Sequence, residues 1–331
     1  MGQVTLGNAV PDVTVLIATF NGAGVLRRTL GGYVSVAGND PDWKIVVVDN
    51  ASTDETAEVL EQFSSRLPLT YRYVGVPGKN LALNAGLSEI EGDFVILSDD
   101  DAIPQPGFLD AWRSTMQRYT DIDIFGGEVI PVFDVAPPDW FLRETPNFEA
   151  LYAMRKGIPE GPIAPDQIFG PNMAVRRHVF AEGMRFSTEI GPNSSEPNYA
   201  MGSETEFCVR AVRQGYKSGF ASVPRVHHIV RAQQVTPEFF RRRAYRLGRG
   251  IAKKQWDAGE IKARQRSRPF QIVSGVRRSV RKSSRYILSR IPGGIKQFQR
   301  QWDYDFFCGF QDEYRRLISN MGANSPGDQD T

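Results

Sequence analysis

Three short apolar runs rich in β-branched residues stand out in the first hundred residues of the chain. They cover Val13 to Ala18, Ile45 to Val48 and Phe94 to Leu97. Their hydrophobicity is continuous rather than alternating, which indicates strands buried on both faces, as in a parallel sheet.

Helix-compatible spacing of apolar residues fills the intervals between these runs, over 24–33, 52–63 and 81–90. Ser52 and Glu55 stand at the spacing of a capping box, so the second helix is expected to begin at Ser52. Alternating strands and helices predict a right-handed α/β unit over the first ~100 residues.

Polar residues follow each of the three predicted strands. They are Thr19-Phe20-Asn21, then Asp49-Asn50, then Ser98-Asp99-Asp100-Asp101. Ligands of parallel α/β sheets bind beyond the carboxyl ends of the strands, so these residues predict a site at one edge of the sheet.

The rest of the chain changes character several times. Residues 121–170 are rich in proline and aromatic residues and are expected to form long loops with short strands, and 170–230 form a second organised stretch. Residues 236–265 are helical and basic in pattern, and 271–291 place apolar residues at helical intervals among arginines. The last ten residues have the composition of a disordered tail.

Composition indicates a globular protein with an uneven distribution of charge. Of the 331 residues 41% are hydrophobic and 24% charged, with a net charge of +2, yet 262–300 contains no Asp or Glu. Cys208 and Cys308 lack metal-site spacing and fit a reducing compartment. Neither a secretory leader nor an apolar run of membrane-spanning length is recognisable, which predicts a cytoplasmic protein, or one attached to the surface of a membrane.

The triple aspartate Asp99, Asp100, Asp101 carries the most specific chemistry. Consecutive carboxylates repel one another, so a cation that neutralises them is expected. Oxygen ligands suit Mg²⁺ or Mn²⁺ bound together with substrate phosphates. An acidic solvated turn is the alternative, and the position after a buried strand argues against it.

Four motifs in order resemble the family-2 glycosyltransferases: VTVLIATFNG, IVVVDNASTDET, GKNLALNAGL and GDFVILSDDDAIP. The resemblance continues through FGPNMAVRRHVF, GSETEFCVRA and VPRVHHIV. It implies a GT-A fold, a Rossmann-like mixed α/β sheet flanked by helices, with a helical, basic C-terminal extension. The implied boundaries are a catalytic domain at 1–235 (12–120 nucleotide-sugar half, 121–235 acceptor half), the extension at 236–320 and a tail at 321–331.

The resemblance also implies roles for residues of the first half. Asp101 would bind the metal, and Asp99 would hold the ribose or the sugar. The remaining residues expected on the donor side are Thr19, Phe20, Asn21, Asp49, Asn50, Lys79, Asn84 and Asp100. Asp54 would lie near them. Turn and capping roles are the alternative for Asp49 and Asn84.

In the second half, GSETEF resembles the stretch that holds the family's catalytic carboxylate. Ser203 stands where the family has Glu, and Glu204 where it has Asp, so Glu204 is expected to be the catalytic base in preference to Glu206. Glu206 and Asn172 would lie on the acceptor side. His228 is preferred over His227 as the remaining metal ligand, although the sequence leaves that choice open.

The resemblance therefore predicts an inverting, hexosyltransferase-type enzyme of polysaccharide or glycan assembly. It would use a nucleoside-diphosphate sugar, most often a UDP-sugar, with Mn²⁺ or Mg²⁺, and act on a glycan or lipid-linked sugar. A nucleotidyltransferase and a catalytically decayed nucleotide-sugar-binding protein are the alternatives. Residues 262–300 would lie on an anionic membrane, or pack on the catalytic domain or a partner; no nucleic acid is expected.

Overall fold

The computed structural model of the protein describes residues 12–38, 40, 42–139, 141, 148–261 and 295–323. Nine strands in these ranges form one sheet. They are β1 (Val13–Thr19), β2 (Trp43–Asp49), β3 (Leu69–Tyr73), β4 (Phe94–Asp99), β5 (Ala102–Pro104), β6 (Ile124–Phe133), β7 (Gly161–Pro162), β8 (Asn172–Arg176) and β9 (Ser218–Val230).

The strand order explains how distant residues of the chain meet. The order is β3-β2-β1-β4-β8-β6-β9-β5, with β7 also paired to β9. Strands β1 to β4 pair in parallel, with Thr19 opposite Asp49 and Ala18 opposite Asp99, so their carboxyl ends share one edge. The parallel strands predicted from the three apolar runs are confirmed.

The described ranges also contain the α-helices that surround the sheet and extend beyond it at the C-terminal end. They are α1 (Ala23–Ala37), α2 (Thr56–Ser64), α3 (Lys79–Gly86), α4 (Phe108–Arg118), α5 (Phe148–Tyr152), α6 (Arg177–Ala181), α7 (Ser203–Arg213), α8 (Pro237–Asp257) and α9 (Ile295–Ala323). One apolar core packs α1, α2 and α4 on the sheet, and a second packs α3, α6 and α7 on the opposite face. This is the mixed α/β arrangement expected for the fold.

Two local expectations were wrong. Helix α2 begins at Thr56 rather than Ser52, because Asp54 accepts hydrogen bonds from the backbone N–H groups of Thr56 (3.2 Å) and Ala23 (3.0 Å) and fixes the turn before the helix. Ser52 instead accepts a bond from the Asn21 backbone N–H (2.9 Å). The segment 121–170 also contains the ten-residue strand β6, because its first residues pair with both β8 and β9.

The C-terminal helices α8 and α9 contact each other through glycines. A Cβ atom on Gly248 would lie 2.0 Å from the Phe306 carbonyl oxygen, and one on Gly309 would lie 1.9 Å from that of Tyr245. The Arg249 side chain, also buried there, bonds Glu313 of α9 at 2.6 Å and Glu196 at 2.6 Å. Helix α9 is therefore tied to α8 and, through Arg249, to the loop that precedes α7.

The sequence predicted a helix over 271–291 and a disordered tail over 321–331, and the structure describes only a small part of these ranges. The helix expected over 271–291 lies outside the described residues, and of the tail expected over 321–331 only Met321–Ala323 is described, as the last residues of α9. Among the described helices, none is both long and apolar enough to span a bilayer.

Replacing Gly248 by alanine should destabilise the protein. A new methyl group would meet the Phe306 backbone, and overpacking of this kind costs about 1–3 kcal/mol, more than the ~1 kcal/mol that alanine gains over glycine in a helix. Urea unfolding of Gly248→Ala measures the loss. Gly31→Ala in α1 is the matched control, since nothing lies within 4 Å of its added Cβ; it should be neutral or stabilising. Equal effects at both positions would contradict the close helix contact.

Candidate active site

A cavity of about 850 Å³ opens at the carboxyl edge of the parallel strands. Residues after β1 and β4 form one wall, the starts of α3 and α7 form a second, and one face of α8 forms a third. The charged residues that line it are Lys79, Asp99, Asp100, Asp101, Glu149, Asp166, Glu204, His228, Arg231, Arg243, Arg246 and Lys254. Three consecutive strand-end carboxylates therefore share one cavity with a carboxylate from the second half of the chain.

Strand pairing brings Asp101 and His228 together. The short strand β5 begins directly after Asp101 and pairs antiparallel with β9, so that Ala102 lies opposite His228. The His228 Nε2 atom lies 3.1 Å from Asp101 Oδ1, and both side chains are buried. Neighbouring residues of a strand point to opposite faces, so His227 is directed away from Asp101.

The tautomer of His228 is set by its second nitrogen. Nδ1 lies 2.8 Å from the Tyr152 carbonyl oxygen, which can only accept, so Nδ1 carries the proton and Nε2 faces Asp101. A backbone carbonyl that orients a histidine in this way is the usual support of a metal-binding imidazole. Burial opposes the charge of His228, but Asp101 outweighs it and raises the pKa of the imidazole.

Lys79, the first residue of α3, bridges two carboxylates. Its Nζ lies 2.6 Å from Asp99 Oδ1 and 2.7 Å from Glu204 Oε1. Burial alone would raise the pKa of Glu204, but the Lys79 ammonium and the Ser203 hydroxyl (2.8 Å) outweigh it and hold that pKa at about 2. Glu204 is therefore ionised at neutral pH. Gly170 packs against it, since a Cβ there would lie 2.5 Å from Glu204 Oε1.

Asp100 has a different environment from its two neighbours. It accepts a hydrogen bond from Thr19 Oγ1 at 2.6 Å. Burial and then the charge of Asp101 raise its pKa to about 7, whereas His228 lowers the pKa of Asp101 in spite of burial. Burial also raises the pKa of Asp99, which Lys79 only partly offsets. The three aspartates are thus electrostatically unequal.

Asp99, Asp101 and His228 have the geometry of a metal site. One ligand atom from each lies within 4.8 Å of the other two. Two carboxylate oxygens and one imidazole nitrogen suit Mn²⁺ or Mg²⁺, and the crowding of three carboxylates, one buried and two half-buried, is the electrostatic setting in which a cation stabilises the fold. The residues present therefore fit a divalent metal.

The structure also places the other residues predicted on the donor side. Thr19, Phe20 and Asn50 line the cavity, with Phe20 43% exposed. Asn50 donates to the Val76 carbonyl (2.7 Å) and accepts from the Gly78 N–H (2.6 Å), which fixes the turn before Lys79.

Asn21 and Asp49 support loops beside the cavity. Asn21 accepts from the Thr53 backbone N–H (2.7 Å), and Asp49 accepts from that of Ser52 (2.9 Å) and from the Tyr71 hydroxyl (3.4 Å).

Besides Asn21 and Asp49, three further predicted residues do not line the cavity. Asn84 pairs with the backbone of Phe186 through two hydrogen bonds, of 2.8 and 2.9 Å. Asn172 is fully buried, donates to the Glu128 and Pro224 carbonyls and accepts from Trp112 Nε1. Glu206 forms an ion pair with Arg210 at 2.7 Å. These contacts give Asn84, Asn172 and Glu206 structural roles. The substrate contacts expected of the three residues stay predictions.

Sequence reasoning missed the basic face of α8 and Arg231, which lies before that helix. Arg231, Arg243, Arg246 and Lys254 line the cavity together with Tyr199. The signal was available, because Arg243, Arg246, Leu247, Ile251 and Lys254 recur at helical spacing on one face. They were missed because Lys and Arg also occupy the other faces of this helix.

Comparison with known proteins agrees with this geometry. The family description "Glycosyl transferase family 2" matches residues 14–183, just over half of the chain. Glycosyltransferase AglE of Haloferax volcanii is 25% identical over 252 residues, which cover 73% of this chain and 74% of that protein.

Two solved structures share the fold at low identity. Residues 1–349 of TarS from S. aureus, in complex with UDP-GlcNAc, superpose with a TM-score of 0.53 at 16% identity, covering 95% of this chain and 92% of that one. The mannosyltransferase PcManGT from Pyrobaculum calidifontis, in complex with GDP-Man and Mn²⁺, gives a TM-score of 0.53 at 16% identity, with coverages of 96% and 77%. The matched family together with a cavity of clustered carboxylates identifies the chain as a glycosyltransferase, a member of glycosyl transferase family 2.

Proposed function

We propose that the protein transfers a sugar from a nucleoside-diphosphate donor, with UDP as the preferred nucleotide, to an acceptor hydroxyl with inversion at the anomeric carbon. The observation that carries the proposal is the meeting, in one cavity, of a candidate metal site (Asp99, Asp101, His228) with a separate ionised carboxylate, Glu204. A single displacement needs both: a base for the acceptor and a place for the departing diphosphate.

In this proposal Glu204 takes the proton from the acceptor hydroxyl while the acceptor oxygen bonds to the anomeric carbon. The bond between that carbon and the diphosphate oxygen breaks, and the nucleoside diphosphate leaves with the electron pair. Asp99, Asp101 and His228 would hold Mn²⁺ or Mg²⁺, which when bound neutralises charge on the leaving group. Lys79 places a positive charge between Asp99, on the side of the sugar donor, and the base Glu204.

Lys79 also explains how Glu204 stays ionised while buried. The Lys79 ammonium is shared between Glu204 and Asp99. A diphosphate that enters beside it offers the ammonium a stronger anionic partner, which would lessen its hold on Glu204 and make that carboxylate more basic.

The remaining parts of the proposal rest on the sequence and on the relatives. A place in polysaccharide or glycan assembly follows from the family resemblance. Association of 262–300 with an anionic membrane surface is inferred from a stretch rich in Lys and Arg without acids, most of which lies outside the described residues.

Glu204→Gln should abolish most transfer and keep the donor bound. Glutamine retains the shape but cannot accept the proton, so kcat should fall by roughly 10²–10⁴-fold while the affinity for the nucleotide sugar changes little. Steady-state rates and donor binding are measured together. Glu206→Gln, two residues along the same helix, is the control and should lose only a minor ion pair with Arg210. Normal transfer by Glu204→Gln would show that another group is the base.

His228→Gln should weaken metal binding, since it removes the nitrogen that faces Asp101. In the presence of UDP, the dissociation constant for Mn²⁺ should rise at least about tenfold, as judged from the cost of disturbing metal-site shells. Electron paramagnetic resonance of free Mn²⁺ measures it without an activity assay. His227→Gln is the matched control on the same strand and should bind Mn²⁺ normally. The opposite pattern would assign the ligand to His227.

UDP should bind more tightly than GDP or TDP, and its binding should depend on the metal. Titration calorimetry of the three nucleotides with Mn²⁺, repeated with a chelator, tests both points. We expect UDP to be favoured by about tenfold, or about 1.4 kcal/mol. A preference for GDP would change the donor and leave the catalytic assignment intact. Equal binding of all nucleotides with and without metal would contradict the metal-assisted donor site.

A further inference from the structure

Helix α8 carries seven basic side chains, which fall into two groups. Four of them form ion pairs: Arg241 with Asp305, Arg242 with Glu238, Arg249 with Glu313 and Glu196, and Lys253 with Glu189 and Asp257. The other three, Arg243, Arg246 and Lys254, line the cavity. We call these three residues the α8 stripe.

Among the described residues, no carboxylate lies within ion-pair distance of any member of the α8 stripe. The Arg243 Nε donates to the Ala150 carbonyl at 3.0 Å, and Arg246 donates to the Pro197 carbonyl and lies 4.4 Å from the centre of the Tyr199 ring. Asp166 is the acid whose charge Lys254 feels most, but it forms no ion pair with it. The cations of α8 that face the cavity are thus the unpaired ones of that helix.

Leaving these cations without acids costs free energy in the free protein. Burial lowers the pKa of Lys254, and burial lowers the pKa of Arg243, with the positive charge of Arg246 adding to the effect. Partly buried charges are ordinarily paired. All other cations of α8 form ion pairs, and the α8 stripe does not. This contrast indicates that the anion for the stripe belongs to a ligand.

The α8 stripe lies where an acceptor would lie. Arg243 is at the end near Glu204 and Asp99, whose charges it feels. Lys254 is eleven residues further along the helix, about 16 Å away at 1.5 Å per residue. Leu247 and Ile251 line the cavity between them. An acceptor whose hydroxyl reaches Glu204 could extend from there along this face toward Lys254.

We propose that the acceptor carries a phosphate group and that the α8 stripe binds it; this rests on the function proposed above. Since Arg243 lies beside the base, the phosphate would meet Arg246 and Lys254, two cations that suit a phosphate better than a single carboxylate, because a phosphate offers more charge and more acceptor oxygens. The Arg246 guanidinium adds N–H donors of the kind that phosphate oxygens accept. The phosphate belongs either to a soluble sugar phosphate or to a lipid carrier.

The test measures a second anion site in protein whose donor site is filled. The protein is saturated with UDP and Mn²⁺, or with the nucleotide that the calorimetry selects. Two probes are then titrated: phenyl phosphate in solution, and dodecyl phosphate in phosphatidylcholine vesicles. We compare the wild type with Arg246→Gln/Lys254→Gln. The control Arg241→Gln/Arg242→Gln removes the same charge from the same helix, outside the cavity.

At least one phosphate probe should bind the wild type and the control equally, and the stripe variant roughly tenfold more weakly or worse. Loss with phenyl phosphate indicates a soluble acceptor, and loss with the vesicles alone a lipid-linked one. Equal binding of both probes by all three proteins, or no binding by the wild type, overturns the inference. A stripe variant that loses UDP instead assigns these cations to the donor. Failure of UDP and Mn²⁺ to bind the wild type would count against the proposed function itself.

Discussion

Four buried or half-buried carboxylates share one cavity, and the elements around it are arranged so that each has a cationic or hydrogen-bonding partner. Asp99 and Glu204 share Lys79, Asp101 faces His228, and Asp100 accepts from Thr19. Buried like charges are tolerated only with such partners. The partners come from β1, α3 and β9. The sheet order brings these elements together, and this allows the four carboxylates to lie in one cavity.

The sequence predicts the donor half of the fold well. Continuous apolar runs identified β1, β2 and β4, because burial on both faces of a parallel strand leaves a local signal. Thr19 and Asp99 to Asp101 identified the edge of the cavity, because polar residues at the carboxyl ends of buried parallel strands lie where ligands bind. The start of α2 was missed, since the Asp54 side chain bonds two segments that are adjacent only in the folded chain.

The acceptor half was less predictable for a physical reason. The contact of Asp101 with His228 depends on the three-residue strand β5, which is too short to leave a periodic pattern. Asn84 and Asn172 show the reverse case: they lie inside strong motifs, yet their amides bond backbone groups more than 50 residues away. The motifs indicate that Asn is required at these two positions, but only the folded structure shows which group each amide bonds.

The contact between α8 and α9 joins the stability of the chain end to the shape of the cavity. Glu313 neutralises Arg249, and Arg249 holds Glu196 and the Asn198 carbonyl in the loop that leads to Tyr199 and Glu204. If α9 detached, Arg249 would lose its buried partner and the loop its anchor. Local opening of the last helix would then change the cavity before the sheet unfolds, so amide exchange in α9 and in the 196–201 loop should report one shared event.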